Sequence, residues 1–212
     1  MAIDYNIEKK VFAKGYKRVC GIDEAGRGAL AGPVVAGACI FEIHDKKMPL
    51  IADSKQLNEE QREEAFEFLI EHCPYGVGIV PANVIDEIGI LGATEQAMQE
   101  AVSMLGKTQM PTYLLIDGRD KFWFDIPHSS VIRGDEKEPC IAAGSIIAKV
   151  TRDRLMKHYC TEFPAFGFSK HKGYGTEDHI INLQREGICP LHRRTFLRSI
   201  QDVTSPLGAF SG

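Results

Sequence analysis

Three short apolar runs in this chain stop against acid. Val19-Cys20-Gly21-Ile22 ends at Asp23-Glu24, Tyr113-Leu114-Leu115-Ile116 at Asp117, and Val131-Ile132-Arg133-Gly134 at Asp135. Such runs, bounded by polar residues, read as buried strands. The ends of strands are where α/β folds present functional side chains. Four carboxylates meeting there raise one another's pKa and repel unless a counter-charge is supplied. The pattern therefore calls for divalent metal ions, and metals held by carboxylates commonly act on phosphate.

The rest of the chain supplies the frame. Arg18 to Ile22 and Pro33 to Phe41 read as strands joined by the glycine-rich link Asp23 to Gly32, which suits a tight hairpin-like connection. A helix is expected from about Asn58 to Glu71, with Asn58 or Asp53 as its cap. Tyr75 to Val80 is a third strand. A helix starts at Pro81-Ala82-Asn83, is interrupted at Gly89 to Gly92, and resumes over Thr94 to Leu105. Tyr113 to Ile116 and Ser130 to Ile132 are strands four and five. A long helix should span about Ala142 to Phe163, followed by a loop from Phe166 to Gly175. Helices over Thr176 to Glu186 and Arg193 to Ile200 come last. Three strands with short early links, then two joined through helices, predict a mixed sheet with helices on both faces. The expected divisions are an N-terminal extension (1–14), a single domain (15–200) and a flexible tail (201–212).

Bulk properties narrow the class. The 212 residues are 44% hydrophobic and 25% charged, an ordinary composition for a soluble globular chain with a sizeable core. The longest apolar stretch, Ala29 to Phe41, is broken by Gly32, Pro33 and Gly37, so no membrane span is expected. The N-terminus shows no signal-peptide pattern. The six cysteines form no C-x-x-C pair and read as reduced, packed thiols of a cytoplasmic protein. Cys189 and His192 are spaced like zinc ligands but lack a second pair. Net charge is −4, yet Lys149 to Ile200 holds ten Lys or Arg against five Asp or Glu, leaving the remainder strongly acidic. Such a dipole can bring one face to a polyanion, although on charge alone a solvated helix surface is the better account.

The segment from Gly21 to Gly28 is the most informative. Adjacent acids within a strand face opposite sides, so Asp23 and Glu24 share a site only where the strand ends or bulges. Gly26 and Gly28 let the backbone approach a ligand closely, and Arg27 between them could meet a phosphate. A polar hairpin turn explains the same letters equally well. Gly26 to Ala31 imitates a dinucleotide fingerprint, but a strand follows where a helix is required. Gly106-Lys107-Thr108 imitates a P-loop without its leading glycine. Asp117-Gly118 alone reads better as an ordinary strand-to-turn Asp, and Gly134-Asp135-Glu136 repeats it. The case rests on all four acids together. On the long helix, Ser145, Lys149, Arg152 and Met156 share one face that could contact phosphate or simply be solvated. Lys170-His171-Lys172-Gly173-Tyr174-Gly175 places an aromatic among basic residues, which suits stacking on a sugar or base, though such tyrosines are usually packed.

Taken together these motifs resemble bacterial ribonuclease HII. The resemblance rests on Gly21-Ile22-Asp23-Glu24-Ala25-Gly26-Arg27-Gly28, Asp53-Ser54-Lys55, Asp117-Gly118 and Gly134-Asp135. It also rests on Ala142 to Arg154 and His171-Lys172-Gly173-Tyr174. The motifs stand in family order and cover roughly Gly15 to Ile200. The resemblance implies a ribonuclease H-like fold with a five-stranded mixed sheet and a helical C-terminal extension. It implies an endonuclease that cuts the RNA strand of RNA–DNA hybrids and incises duplex DNA at embedded ribonucleotides, leaving 5′-phosphate and 3′-hydroxyl ends. Asp23, Glu24, Asp117 and Asp135 would hold two Mg²⁺ or Mn²⁺ ions. Gly26, Arg27 and Gly28 would read the ribose 2′-hydroxyl through backbone groups, and Tyr174 would stack at the RNA–DNA junction. Lys55, Ser145, Lys149, Arg152 and Lys172 are further candidate substrate contacts. A monomer is expected.

The chain departs from the family pattern at three places. Ala29 stands where proline is usual, Gly144 where alanine is usual, and Gly175 where many members have proline. None removes a catalytic group; they put loop stiffness in doubt. Two other readings stay open on the residues alone: a non-catalytic nucleic-acid-binding module, and another two-metal enzyme of the same fold, such as a junction resolvase or DNA nuclease. The first has no need of four acids at strand ends. The second has no need of Gly26-Arg27-Gly28 and Tyr174.

Overall fold

A computed structural model describes residues 6–41 and 57–198. The Asp53-Ser54-Lys55 motif, with Lys55, and the expected tail lie outside the described residues.

Apolar, β-branched runs between turn residues form five strands: β1 (Val19–Ala25), β2 (Val34–Ile40), β3 (Tyr75–Val80), β4 (Tyr113–Asp117) and β5 (His128–Val131). They make one sheet in the order β3-β2-β1-β4-β5. β1, β2 and β3 pair antiparallel, and β1, β4 and β5 pair parallel, so the expected mixed sheet is found. Among the described residues, seven α-helices accompany it: α1 (Asn6–Ala13), α2 (Glu59–His72), α3 (Ala82–Gly106), α4 (Pro139–Glu162), α5 (Phe168–His171), α6 (Glu177–Glu186) and α7 (Arg194–Leu197). No helix among the described residues is long and apolar enough to cross a membrane. All six cysteines are free thiols.

The helices divide between the two faces. Val11 of α1, Leu69 of α2 and Ile141 and Ile147 of α4 pack on one face around Leu115 and Val131. Ile85, Met98 and Leu105 of α3 cover the other around Ile22, Ile40 and Leu114. A third cluster builds the C-terminal extension, where Phe166, Phe168, Leu183 and Leu197 close on Ala31 and Met156.

Glycine brings α4 unusually close to the sheet. A Cβ on Gly37 would stand 2.3 Å from the Gly144 carbonyl oxygen, and one on Gly144 2.9 Å from that of Gly37. The family departure at Gly144 therefore falls where the helix rides on the strands that carry the acids.

Local signals explain most element ends. Asn58 caps α2: its Oδ1 accepts the Gln61 N–H at 2.9 Å, and Gln61 Oε1 accepts the Asn58 N–H at 3.0 Å. Thr176 caps α6 through the His179 N–H. α3 breaks at Gly89, whose φ is 77°.

Four expectations need correction. β1 does not stop at Ile22 but runs to Ala25, because β2 continues to pair with it through Glu24↔Ala36 and Ala25↔Val35. α4 begins at Pro139 rather than Ala142, proline being well suited to a first helical turn. The stretch 166–175 contains α5, which buries Phe168 and His171. Residues 6–13 form a helix, which the sequence reading did not foresee. Its first turn is capped from far along the chain by Glu138, whose carboxylate accepts the Ile7 and Glu8 N–H groups at 3.0 and 3.1 Å.

Candidate active site

The sheet register assembles the acids. β1 and β4 are paired up to Ile22↔Ile116, so Asp23 and Asp117 are the next residues on adjoining parallel strands. Neighbouring strands lie about 4.8 Å apart, which sets these two carboxylates side by side. Glu24 follows on β1: the strand continues without a bulge against β2, but its pairing with β4 stops at Ile22↔Ile116, and on that side β1 meets the strand-end condition under which both acids can serve one site. β4 also pairs with β5 through Asp117↔Val131. The chain then turns through Arg133, in the left-handed region at φ 56°, into a short 3-10 turn, Gly134–Glu136. That turn carries Asp135, and Gly134 donates its N–H to Asp117 Oδ1 at 2.6 Å. Asp135 is thus delivered by a turn tied to another acid, not directly by the strand end the sequence suggested.

The acids form a row. Asp23 repels Glu24 and Asp117, Glu24 repels Asp117 and Asp120, and Asp117 repels Asp135. Among the described residues, no three His, Cys, Asp or Glu side chains are gathered ready to hold one ion. Burial first, then Glu24 and Asp117, hold the Asp23 carboxyl well above the usual range, against the Ser145 hydroxyl and the Glu24 N–H, which pull it down. Burial likewise raises Glu24, with Arg27 opposing and the acids at 117 and 120 adding to the rise. Asp117 is raised by burial and by Asp135, while the Gly134 N–H opposes. Desolvated, mutually repelling carboxylates are a donor set whose strain a divalent cation relieves, so these residues fit the metal chemistry expected of them.

A cleft of about 430 Å³ joins acids to candidate substrate contacts. It is lined by Glu24 and Asp135, by Gly26, Arg27 and Gly28, by Ser145 and Lys149 of α4, and by Tyr174. The Glu24–Gly28 segment, Asp135, the long helix and Tyr174 are therefore brought together, whereas Asp23, Asp117 and Lys172 are not among the lining residues. Tyr174 is 37% exposed, and its ring centroid lies 5.2 Å from the Arg152 guanidinium carbon. Lys149 reaches the cleft while paired with Asp153 at 2.7 Å.

Other candidates behave differently. Arg27 is not held ready for phosphate; its guanidinium pairs with Asp120 at 2.7 Å and with Glu24 at 3.4 Å. Lys172 donates from Nζ to the Ser169 carbonyl, and its backbone is left-handed at φ 53°. Arg152 must be withdrawn as a phosphate contact. It is 0% exposed and donates to the carbonyls of Pro33, Lys172 and Ala31 at 2.9, 2.9 and 3.0 Å. The helical face it shares with Met156 points into the protein, because the C-terminal extension folds over it. The basic quarter is correspondingly thinner as a surface. Arg152 and Arg193 are buried, and Lys149, Arg154, Lys157, Lys170 and Arg185 each face a carboxylate.

Sequence reasoning missed three groups. Asp120 anchors Arg27. Arg62 of α2 lines the cleft. Arg193 lies buried beneath the Gly26–Gly32 segment. Asp120 and Arg62 carry no motif signal, and Arg193 counted only as one of the ten basic residues between Lys149 and Ile200.

A sequence profile of the Ribonuclease HII family matches residues 20–199. Ribonuclease HII of Clostridioides difficile (strain 630) is 46% identical over 194 residues, 91% of this chain and 75% of that protein. Ribonuclease HII of Endomicrobium trichonymphae is 46% identical over 202 residues, 95% of each chain. Among solved structures, the ribonuclease H2 of Pyrococcus horikoshii OT3 matches with TM-score 0.69 and 28% identity, over 84% of this chain and 93% of that one. The RNase HII of Archaeoglobus fulgidus, solved in a complex with PCNA, matches with TM-score 0.70 and 26% identity, over 84% and 94%.

Proposed function

The chain belongs to the ribonuclease HII family, and from that membership we propose how its cleft cuts RNA. The enzyme is a metal-dependent endoribonuclease acting on RNA–DNA hybrids and on ribonucleotides within duplex DNA. Asp23, Glu24, Asp117 and Asp135 would hold Mg²⁺ or Mn²⁺, two ions during turnover. When bound, such ions neutralise charge on the scissile phosphate and lower the pKa of the attacking water.

The surrounding residues keep that row in place. Ser145 and the Glu24 N–H, which donates to Asp23 Oδ1 at 2.7 Å, orient the buried Asp23. Arg27, itself fixed by Asp120, holds Glu24. Gly134 holds Asp117 and in the same step positions Asp135. Lys149, at the cleft, offers a cation to the phosphate backbone, and Tyr174 offers a face on which a sugar or base can stack. The Gly26–Gly28 backbone faces the same space and reads the 2′-hydroxyl, the group that distinguishes ribose from deoxyribose. Water attacks in line, leaving 5′-phosphate and 3′-hydroxyl ends.

The observation that carries this reading is that one cleft is lined both by two of the acids, Glu24 and Asp135, and by the glycine loop. A nuclease indifferent to the sugar needs only the acids. The test is to incubate a labelled RNA–DNA hybrid with the protein and Mg²⁺ or Mn²⁺, then analyse the ends. Cleavage of the RNA strand alone, with 5′-phosphates that a ligase accepts and complete arrest by chelator, is expected. Products with 2′,3′-cyclic phosphates, or cutting that persists in chelator, contradict it.

A further inference from the structure

Arg193 is a charged side chain with 0% exposure, yet the mechanism above does not use it. An uncompensated buried cation is expensive unless every donor is satisfied. Here the side-chain hydrogen bonds all go to one loop, and the Phe196 ring centroid lies 5.2 Å from the guanidinium carbon. Nε donates to the Gly32 carbonyl at 3.0 Å, Nη1 to that of Arg27 at 3.0 Å, and Nη2 to that of Gly26 at 2.8 Å. The residue is itself anchored: its N–H donates to the Leu30 carbonyl at 2.9 Å. The next two residues, Arg194 and Thr195, donate their N–H groups to Asp86 at 2.8 and 2.9 Å.

The consequence follows from peptide geometry. In a planar trans peptide the N–H points opposite to the C=O. Drawing the Gly26 and Arg27 carbonyls inward onto Arg193 therefore turns the Arg27 and Gly28 N–H groups outward. The turn is closed by the Ala29 N–H, which donates to the Gly26 carbonyl at 3.2 Å, so its two central N–H groups are not consumed by the turn itself. Neither donates to a backbone acceptor among the described residues. Both residues line the cleft, and a Cβ on Gly28 would meet nothing within 4 Å. At Gly26, with φ 90°, a Cβ would collide with Arg152 Nε at 1.9 Å, so the loop is pinned from that side as well.

We infer that Arg193 is a specificity-determining positioning residue: by gripping the Gly26 and Arg27 carbonyls it aims the Arg27 and Gly28 amides at the ribose 2′-oxygen. The inference rests on the proposed reading of that loop as the 2′-hydroxyl sensor. Lysine cannot substitute, because one ammonium does not span three separated carbonyls as the planar guanidinium does.

Two measurements test it. In the first, Arg193→Lys and wild type are compared on a duplex with one ribonucleotide and on the same duplex with 2′-deoxy-2′-fluoro at that position. At matched folded fraction, the ribo-to-fluoro ratio of kcat/KM should fall at least tenfold in the variant. A merely structural defect lowers both substrates together, and an unchanged ratio overturns the inference. In the second, which needs no variant, amide NMR of the wild-type protein is recorded with each duplex without divalent metal. The Arg27 and Gly28 N–H signals should shift with the ribonucleotide duplex and not with an all-DNA duplex. Equal or absent shifts at both overturn it. If wild type fails to cut the ribonucleotide duplex at all, the parent functional reading fails instead.

Discussion

At the scale of single residues, two carboxylates sharpen the account in opposite ways. Asp117 is coupled electrostatically to Asp23, Glu24 and Asp135, and it accepts the Gly134 N–H. Asp117→Asn should reduce turnover by at least a thousandfold while thermal unfolding stays within a few degrees of wild type; near-normal turnover would make Asp117 an ordinary turn residue. Glu8 stands outside the row of acids, is 2% exposed, and faces Glu138. Burial first, then Glu138, raises its pKa from 4.5 to about 7. The folded state therefore holds a proton that the unfolded state releases between these values. Stability from this group is full below pH 4.5 and declines as pH rises to about 7. Glu8→Gln should stabilise the protein at pH 8 by up to about 3 kcal/mol and have little effect at pH 4, measured by denaturant unfolding. An equal effect at both pH values contradicts the assignment.

At the scale of elements, α4 and the C-terminal extension govern the site. Helix propensity alone says Gly144→Ala should gain roughly 1 kcal/mol. The contacts say otherwise, since the added methyl meets the carbonyls of Gly37 and Gly21 at 2.9 and 3.0 Å. Overpacking of this kind costs about 1–3 kcal/mol, so the variant should be less stable and, because Asp23 lies on β1 beneath it, slower. A gain in thermal stability would show that α4 yields freely. In the extension, His171, His179 and His192 lie among Phe166 and Phe168, with the His179 and His192 Nε2 atoms 3.1 Å apart. One of these two nitrogens must accept, so the pair holds its bond only with one ring neutral. Burial lowers both pKa values from 6.5 to about 4. The unfolded state takes up these protons first, so stability is present above pH 6.5 and is lost as pH falls toward 4. His179 also bonds the Tyr174 carbonyl at 2.9 Å. Acid should therefore loosen the Tyr174 loop, seen as faster amide exchange at residues 173–176 near pH 5 than expected from intrinsic rates. Exchange that follows intrinsic rates alone would contradict this.

At the scale of the whole molecule, what could be read from sequence was what local chemistry decides. β3 is bounded by Pro74 and Pro81, and Asn58 announces α2 by its own side chain. The sheet's mixed character followed from short early links and later helical ones. The four acids were named because each interrupts an apolar run. What stayed hidden depends on partners far along the chain. β1 carries Asp23 and Glu24 inside the strand because β2 pairs with them. Arg152 looked like a surface cation because its acceptors come from residues 31, 33 and 172. α1 is capped by a carboxylate 130 residues away. Periodicity on one helix cannot tell a solvated face from one that another segment covers.

The central claim is that one cleft both cuts and checks for a 2′-hydroxyl. The most direct test is incision of a DNA duplex carrying a single ribonucleotide, beside an all-DNA duplex of the same sequence, with Mg²⁺ or Mn²⁺. One cut at the ribonucleotide and none in the control are expected. Cleavage of both duplexes, or of neither, would contradict it.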